Sequence, residues 1–293
     1  MQDGPAAAAL PRASGESPLS SATRPRDPLP TVWDPDSRVG EMLKGKRGLV
    51  VGVANADSIA YGCAVKLRAF GADLAVTYLN EKAEKHVRPL AEQMQAGIVA
   101  PLDVQQPGQI EALFERIAKE WGRLDFLIHS IAFAPREDLH GRVVDCSAEG
   151  FAQAMHVSCW SFLRMAKLAE PLMTQGGVLV TMSYYGADKV VGNYNIMGPV
   201  KAALEASVRY AAGELGEKGI RVFAVSPGPL KTRAASGIAQ FDELVQMAQE
   251  RAPQHRLVDI AEVGRVVAFL VGGASSGMTG DTIYVDAGLH NVA

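Results

Sequence analysis

The sequence predicts a doubly wound α/β fold, in which helices cover both faces of a parallel sheet of about seven strands within a single domain. Two observations support this prediction. From about residue 43 onward, short runs of valine, isoleucine and leucine are apolar at consecutive positions, as expected of strands buried on both faces. Helix-length segments separate these runs, and parallel strands need connections of that kind.

The elements alternate regularly along the chain. The predicted strands are 48–53, 74–78, 98–102, 126–129, 177–182, 222–225 and 282–285. The predicted helices are 59–70, 82–95, 110–121, 151–173, 194–215 and 261–271. Each helix interval is long enough to cross one face of the sheet and return the chain to its starting edge. A chain of 293 residues also permits two domains, but this uninterrupted alternation favours one.

Residues 1–40 differ in composition from the rest of the chain. They are rich in proline, alanine and serine and show no apolar period. Such a segment buries too little surface to offset the entropy lost on ordering. The apolar run 6–10 is short and ends at Pro11, so it does not resemble a secretory signal. We therefore predict a flexible N-terminal tail over 1–40 and one folded domain over 41–293.

Composition excludes several classes of function. A net charge of -3 offers no basic excess for nucleic acid, and no apolar run approaches the length of a membrane span. Three cysteines without a CxxC pair and six histidines without an HExxH pair argue against a disulfide framework and a metal site. A reducing, cytoplasmic setting is the simplest expectation.

The end of the first strand has features of a phosphate-binding turn. Gly52 allows a sharp turn, and Ser58 is a good N-cap for the helix that follows. The first turn of that helix would offer free N–H groups to a pyrophosphate. Gly62 would permit close packing of this helix on the sheet. The loop is too long for a GxGxxG fingerprint, so an ordinary strand-to-helix turn remains the alternative.

Two further strand ends strengthen the prediction of a dinucleotide site. Asp103, followed by Val104, comes after the third strand, where its carboxylate could accept a hydrogen bond from adenine. Residues 129–132 close the fourth strand with small side chains against which a ribose and nicotinamide could lie. Ligands of doubly wound sheets bind beyond the carboxyl ends of the strands. A simple turn aspartate is the alternative at Asp103, and we interpret His129 as a structural, hydrogen-bonded histidine.

The preferred dinucleotide is less clearly indicated. The second strand ends in residues 77–82, with neither an acidic residue for a ribose hydroxyl nor an arginine for a 2′-phosphate directly at its end. Glu81 and Lys82 favour opposite choices. We expect NADH, with NADPH as the alternative.

A tyrosine and a lysine after the fifth strand are the candidate catalytic pair. Tyr194 and Lys201 are seven residues apart, which on a continuous helix would place both side chains on one face. A phenol can donate a hydrogen bond to a developing oxyanion, and an ammonium adds positive potential. An ordinary amphipathic helix is the alternative, since this spacing is common.

At this point the sequence resembles a known family. The Tyr-x6-Lys pair on a Rossmann-type fold is similar to the short-chain dehydrogenase/reductase superfamily. Residues 52–62, residues 129–135, the second tyrosine Tyr184 and the segment 226–238 resemble the bacterial enoyl-acyl-carrier-protein reductases of the FabI type. The resemblance extends from about residue 43 to 288.

The resemblance implies a role for each matching residue. Tyr194 would stabilise the enolate formed when hydride reaches C3 of a trans-2-enoyl thioester, Lys201 would bind the nicotinamide ribose, and Tyr184 would assist substrate positioning or protonation. The implied cofactor contacts are Gly52, Ser58, Ile59, Leu79, Asp103, Val104, Ile131, Lys201, Leu230, Lys231, Thr232, Arg233 and Ala234. Ala134, Met197 and Phe241 would border the acyl chain, and residues 234–247 would form a mobile lid.

The resemblance also implies partners. The substrate would arrive on acyl carrier protein in fatty-acid synthesis, and the enzyme would be a homotetramer with the long helices 151–173 and 194–215 at subunit contacts. Two alternatives stay open at this stage. One is a carbonyl reductase or alcohol dehydrogenase of the same superfamily, and the other is a catalytically silent dinucleotide-binding protein.

Overall fold

The computed structural model describes residues 42–232 and 240–292. Within them, seven strands form one parallel sheet in the order β3-β2-β1-β4-β5-β6-β7. The strands are β1 Arg47–Val51, β2 Asp73–Tyr78, β3 Ile98–Pro101, β4 Phe126–His129, β5 Gly177–Met182, β6 Ile220–Pro227 and β7 Thr282–Val285. All six pairings are parallel. The predicted doubly wound sheet is therefore confirmed, with its switch point between β1 and β4.

The helices lie between the strands, as predicted. They are α1 Ile59–Ala69, α2 Glu81–Gln93, α3 Gln109–Trp121, α4 Arg136–Leu139, α5 Ala148–Met155, α6 Ser161–Ala169, α7 Met197–Leu215, α8 Phe241–Arg251 and α9 Ile260–Val271. A π-helical turn, His156–Trp160, joins α5 to α6. The predicted helix 151–173 is thus a longer helical stretch interrupted by a π turn. No helix in residues 42–232 or 240–292 is long and apolar enough to cross a membrane.

Both faces of the sheet are buried, which explains the continuous apolar runs. In β1, Leu49 and Val51 enter one core while Val50 enters the other. The first core lies under α3, α6 and α7, and the second lies under α1, α2 and α9. Alternate residues of one strand therefore supply two separate cores, as the fold class requires.

Gly62 plays a different part from the one expected. A Cβ at Gly62 would lie 2.5 Å from the carbonyl oxygen of Ile260, and a Cβ at Gly264 would lie 2.4 Å from the carbonyl oxygen of Gly62. The two glycines permit close crossing of α1 and α9, so Gly62 serves helix–helix packing and not helix–sheet packing. Sequence alone could not show this, since the partner lies about 200 residues away.

Candidate active site

A cavity of about 250 Å³ opens at the carboxyl ends of β1, β4, β5 and β6. Its wall is mainly apolar, with a few converging polar groups, which is typical of small-molecule sites. The lining residues are Gly52, Ala54, Ser58, Ile59, Ser130, Ile131, Ala132, Phe133, Ala134, Leu139, Met182, Ser183, Tyr184, Tyr194, Met197, Lys201, Pro227, Gly228, Pro229, Leu230, Thr232, Phe241 and Leu244. The cavity lies at the position where doubly wound sheets bind their ligands.

The turn after β1 brings backbone close to the neighbouring strand end. Gly52 has φ +102°, and a Cβ there would lie 2.2 Å from the carbonyl oxygen of Ser130. Ser58 precedes α1, but its side chain does not cap the helix; its hydroxyl donates to the Asn55 carbonyl at 2.7 Å. The expected N-cap is therefore wrong in its hydrogen bond. The first turn of α1 still begins beside the cavity, where an anion would be favoured.

The π-helical turn supports the end of β4. Ser158 lies in this turn and is buried; its hydroxyl accepts from the Phe133 amide at 2.9 Å and donates to the Phe133 carbonyl at 3.2 Å. Residues 130–134 are thereby held in place along one wall of the cavity. Insertions of this kind often occur beside functional sites, but no sequence pattern distinguished this one from regular helix.

His129 is a buried structural histidine, as predicted. The Ser161 hydroxyl donates its only hydrogen to the Val157 carbonyl, so His129 Nε2 must donate to Ser161 Oγ at 2.8 Å. Nδ1 then accepts from the Thr181 hydroxyl at 3.0 Å. Burial lowers the pKa of His129 to about 3, with the positive charge of Lys201 acting in the same direction. The imidazole is therefore neutral at physiological pH.

Tyr194 does not lie on the predicted helix. It sits in a turn before α7, which begins at Met197, so helical periodicity does not align it with Lys201. Its neighbours Asn193 and Asn195 both have positive φ, +61° and +43°. Their side-chain amides donate to Gln240 Oε1 at 2.9 Å and to the Leu139 carbonyl at 2.5 Å, respectively. Because both asparagines have a left-handed backbone, α7 does not extend back to Tyr194. Their hydrogen bonds with Gln240 and Leu139 fix the turn that carries the tyrosine.

The phenol of Tyr194 is buried beside a second phenol. The rings of Tyr194 and Tyr184 meet edge to face, with centroids 4.8 Å apart. A Cβ at Gly186 would lie 2.6 Å from the Tyr194 ring, so only glycine leaves room for it there. Burial raises the pKa of Tyr194, and the negative charge of Glu205 raises it further. Tyr194 therefore remains a hydrogen-bond donor at neutral pH.

The hydroxyl of Tyr184 is buried and makes no hydrogen bond of good geometry within the described residues, although the phenol of Tyr185 lies close to it. Burial raises the pKa of this phenol as well. Because an unsatisfied buried hydroxyl is costly, its position on the cavity wall suits an incoming acceptor group. Tyr184 was singled out in the sequence only through the family resemblance.

Lys201 brings a buried ammonium to the same cavity. Its Nζ donates to the Met182 carbonyl at 2.7 Å, at the carboxyl end of β5. Burial lowers the pKa of Lys201 to about 8. The ammonium has three hydrogens, and within residues 42–232 and 240–292 one of them has an acceptor, which leaves two for a ligand in the cavity. Tyr194 and Lys201 share the wall of one cavity, although the helical spacing that was expected to align them is absent.

The predicted site residues separate into three groups. Twelve of them line the cavity: Gly52, Ser58, Ile59, Ile131, Ala134, Tyr184, Tyr194, Met197, Lys201, Leu230, Thr232 and Phe241. Four lie outside its lining: Leu79, Asp103, Val104 and Lys231. Arg233, Ala234 and the rest of the predicted lid before Gln240 lie outside the described residues.

The four outlying residues have other surroundings. Leu79 follows β2 and is 55% exposed, whereas Val104 is buried beyond β3. Asp103 Oδ1 accepts from the Gln105 amide at 3.0 Å, as a turn aspartate does. Lys231 Nζ lies 3.8 Å from Asp242 Oδ1. Their roles as cofactor contacts stay predictions.

Several lining residues were not among the predicted contacts. Ser130, Ala132 and Gly228 belong to strand-end segments that the sequence had marked, so position beyond a strand could have found them. Leu139 lies on α4, which no pattern had connected to the site, whereas Leu244 lies on α8, within the lid that the resemblance implied over 234–247. Their placement depends on the tertiary path of two connecting segments.

The fold and the cavity together define a nucleotide-binding α/β protein with a phenol–amine pair at the switch point of its sheet. The family model for enoyl-(acyl carrier protein) reductase matches residues 52–290. The chain belongs to this family.

Individual relatives agree with that assignment. Enoyl-[acyl-carrier-protein] reductase [NADH] 1 of Rhizobium meliloti is 45% identical over 251 residues, covering 86% of this chain and 92% of the relative. The crystal structure of the Anaplasma phagocytophilum reductase in complex with NAD is 45% identical, with a TM-score of 0.84 over 87% of this chain and 98% of that one. The Bacillus cereus reductase, in complex with NADP+ and indole naphthyridinone, is 44% identical, with a TM-score of 0.84 over 86% of this chain and 99% of that one.

Proposed function

We propose that this chain is an NADH-dependent enoyl-[acyl-carrier-protein] reductase that saturates the trans-2 double bond of an enoyl thioester in fatty-acid synthesis. The observation that carries the proposal is the meeting of three groups on one apolar cavity: the donor phenols of Tyr194 and Tyr184 and the ammonium of Lys201. The relatives' names supply the substrate and the cofactor.

The lining of the cavity suits the pyrophosphate and nicotinamide parts of a dinucleotide. The close approach at Gly52 and the start of α1 suit a pyrophosphate, and residues 130–132 form a wall on which the nicotinamide could lie. Ser58, Ile59, Ile131, Leu230 and Thr232 would contact the cofactor, and Lys201 would bind the nicotinamide ribose hydroxyls. When bound, NADH supplies the hydride that is transferred to C3 of the substrate.

The protein's own contribution is stabilisation of charge on the thioester oxygen. Hydride addition at C3 of a conjugated thioester places negative charge on the carbonyl oxygen, away from the attacked carbon. Tyr194 would donate a hydrogen bond to that oxygen. This hydrogen bond becomes stronger as negative charge develops on the oxygen, so it stabilises the transition state more than the bound substrate. Tyr184 would position the acyl group or assist protonation. Ala134, Met197 and Phe241 would border the acyl chain of the substrate and exclude water.

The cofactor preference rests on the end of β2. Asn80 accepts a hydrogen bond from the Ala83 amide and caps α2, and Arg88 is paired with Glu84 within that helix. Asn80 carries no charge and the guanidinium of Arg88 is already paired, so neither suits a 2′-phosphate, which favours NADH, whereas Lys82 in the same segment favours NADPH. NADPH remains the alternative to be compared directly.

The decisive experiment is a spectrophotometric assay with crotonyl thioester, run with NADH and NADPH side by side. We expect oxidation of NADH coupled to formation of the saturated thioester, with no activity on 3-oxo thioesters. Reduction of the 3-oxo substrate instead would identify a carbonyl reductase, and binding of NADH without turnover would identify a silent dinucleotide-binding protein.

Tyr194→Phe tests the assigned role of the phenol. Loss of one oxyanion donor should lower kcat by about 10²-fold to 10³-fold, while the Kd for NADH changes little. Tyr284→Phe, in β7 and outside the cavity lining, is the matched control. Unchanged turnover in Tyr194→Phe would refute this role.

We also propose that the enzyme receives its substrate on acyl carrier protein and acts as a cytoplasmic homotetramer. Large apolar side chains are exposed along the α5–α6 stretch and on α7, including Phe151, Trp160, Leu163 and Tyr210. Exposed apolar residues grouped in this way commonly mark subunit interfaces. Light scattering coupled to size exclusion should give a mass four times that of the 31.2 kDa chain.

A further inference from the structure

A buried carboxylate beside the catalytic pair has no part in the mechanism described so far. Glu205 lies on α7 and is only 9% exposed. Carboxylates are seldom buried to this extent unless they are paired, because removing the charge from water is costly. Its surroundings should therefore show what it does.

Glu205 and Lys201 connect one face of α7 to two consecutive residues at the end of β5. These are Met182, the last residue of the strand, and Ser183, which follows it. Glu205 and Lys201 are four residues apart on the helix and so lie on the same face. Lys201 Nζ donates to the Met182 carbonyl at 2.7 Å, and the hydroxyl of the next residue, Ser183, donates to Glu205 Oε1 at 2.5 Å. Both bonds are buried. The strand end that carries Ser183 and Tyr184 into the cavity is thus fixed at two points.

The charge of Glu205 also favours the donor form of both catalytic groups. Burial lowers the pKa of Lys201 to about 8, and both Cys159 and, to a smaller extent, the negative charge of Glu205 oppose that change. The same charge raises the pKa of the Tyr194 phenol. Protonated tyrosine and protonated lysine are the forms that the proposed mechanism uses.

Other groups face Lys201 from neighbouring elements. His129, from β4, is neutral at physiological pH and acts in the opposite direction if protonated. Cys159, from the π-helical turn, raises the pKa of Lys201 by more than Glu205 does, so its effect is separated by a variant of its own. Tyr194, from the preceding turn, is a neutral phenol. Glu205 is therefore the carboxylate that acts on the ammonium from its own helix.

We propose that Glu205 is a positioning residue for the catalytic lysine: through its buried hydrogen bond with Ser183 it fixes the strand end to which Lys201 is bonded, and it places a carboxylate one turn from Lys201 on the same face of α7. This inference rests on the proposed function, because it assumes that Lys201 binds the ribose of NADH.

The test is the pH dependence of NADH binding, measured by fluorescence titration from pH 6 to 10 without enoyl substrate. In E205Q the amide can still accept from Ser183 but carries no charge. NADH affinity should fall at high pH as Lys201 loses its proton, and we call this fall the alkaline limb of the profile. In E205Q we expect the alkaline limb to move to lower pH by roughly one unit, with near-wild-type affinity at pH 6.5. Glu214→Gln, an exposed residue on the same helix, should leave the profile in place.

Two further variants separate the two parts of the proposal. Ser183→Ala keeps the carboxylate, so the alkaline limb should stay near its wild-type position while kcat for the enoyl thioester falls several-fold. Cys159→Ser identifies any contribution of the thiol, and E205Q should shift the limb equally in that background. A limb that is unmoved in folded E205Q would overturn the proposal.

If E205Q does not fold, Glu205→Asp tests the positioning role of Glu205 instead. The shorter carboxylate keeps its charge but cannot reach Ser183, so the limb should persist while kcat falls; an unchanged kcat would overturn the positioning role. These outcomes are distinct from failure of the proposed function. A wild-type protein that does not reduce crotonyl thioester refutes the reductase, whereas the NADH profile still tests Glu205.

Discussion

At the scale of single residues, the site depends on backbone conformations that few side chains adopt. Asn193 and Asn195 flank Tyr194 in the left-handed region, where asparagine is tolerated better than most residues. This turn explains why Tyr194, which the sequence placed on a helix, instead precedes one. The helical spacing of apolar residues continues back through residue 194, so periodicity did not indicate that α7 begins only at Met197. The short NYN sequence was the available signal.

Replacing Asn195 separates backbone conformation from hydrogen bonding. Asn195→Gly keeps the left-handed backbone but loses the bond to the Leu139 carbonyl, whereas Asn195→Ala loses both. We expect the glycine variant to be more stable than the alanine variant by roughly 0.5–1 kcal/mol in urea unfolding. Both should show lower kcat with nearly unchanged NADH affinity. Equal stability of the two variants would show that positive φ at this position is not strained.

The buried neutral His129 makes stability sensitive to acid. Its folded pKa of about 3 is below the unfolded value of roughly 6.5. Between these values the unfolded chain binds a proton that the folded chain does not. The contribution of neutral His129 to the free energy of unfolding is therefore complete above pH 6.5. As the pH falls below that value, this contribution decreases by about 1.4 kcal/mol per pH unit.

His129→Gln should remove this dependence. Urea unfolding between pH 6 and 4 should give a slope of stability against pH that is shallower than wild type by about 1.4 kcal/mol per unit. His86→Gln, on the exposed part of α2, is the control and should retain the wild-type slope. Parallel slopes for His129→Gln and wild type would mean that the imidazole is protonated in the folded core.

At the scale of elements, the crossing of α1 and α9 holds the nucleotide side of the sheet together. Gly62 and Gly264 let the two helix backbones approach closely. Because the start of α1 borders the cavity, this crossing also fixes the amides proposed to meet the pyrophosphate. The core residues between these helices, such as Leu67 and Val267, are fully buried.

Gly264→Ala should disturb that crossing. A Cβ would lie 2.4 Å from the Gly62 carbonyl oxygen, and overpacking of this kind costs about 1–3 kcal/mol. Gly213→Ala is the matched control, because no atom lies within 4 Å of the added carbon in α7; alanine there should be neutral or stabilise by about 0.5–1 kcal/mol. Thermal unfolding compares the two, and a Gly264→Ala protein as stable as wild type would contradict the close crossing.

The accuracy of the predicted elements depended on how clearly the sequence marked the ends of each segment. The strands 126–129, 177–182 and 282–285 were predicted with the bounds that the structure has, because turn residues and polar side chains bound them clearly. The helix α8, Phe241–Arg251, was not predicted as a helix, since the lid expected over 234–247 overlaps it. The π turn at His156–Trp160 was not foreseen either, because its pattern of apolar residues is that of a continuous helix.

At the scale of the whole molecule, the sheet and the cavity are built from residues that follow the predicted tail. β1 begins at Arg47, and the first residue on the cavity wall is Gly52. We expect deletion of residues 1–38 to leave kcat, NADH affinity and Tm nearly unchanged. A fall in Tm of more than a few degrees, or a loss of activity, would show that these residues contribute to the folded enzyme.

The strand ends of the site could be predicted at this scale, whereas the enclosing segments could not. Gly52, Ile131 and Lys201 follow or face carboxyl ends of strands, so sheet topology alone brings them together. Leu139 and Leu244 close the cavity from connecting segments with no topological constraint. The carboxylate at Glu205 was not foreseen, because a polar residue at a buried helix position is recognised only once its partner Ser183 is placed beside it.

The cavity wall is discontinuous in sequence, extending from Gly52 to Leu244. A chain emerging from the ribosome therefore cannot complete the cavity until residue 244, about five-sixths of its length, has been made. From that moment, ligand mass action adds to stability by an amount set by the free cofactor concentration relative to Kd. The cell's redox pool would thus influence how long each newly synthesised copy survives proteolysis.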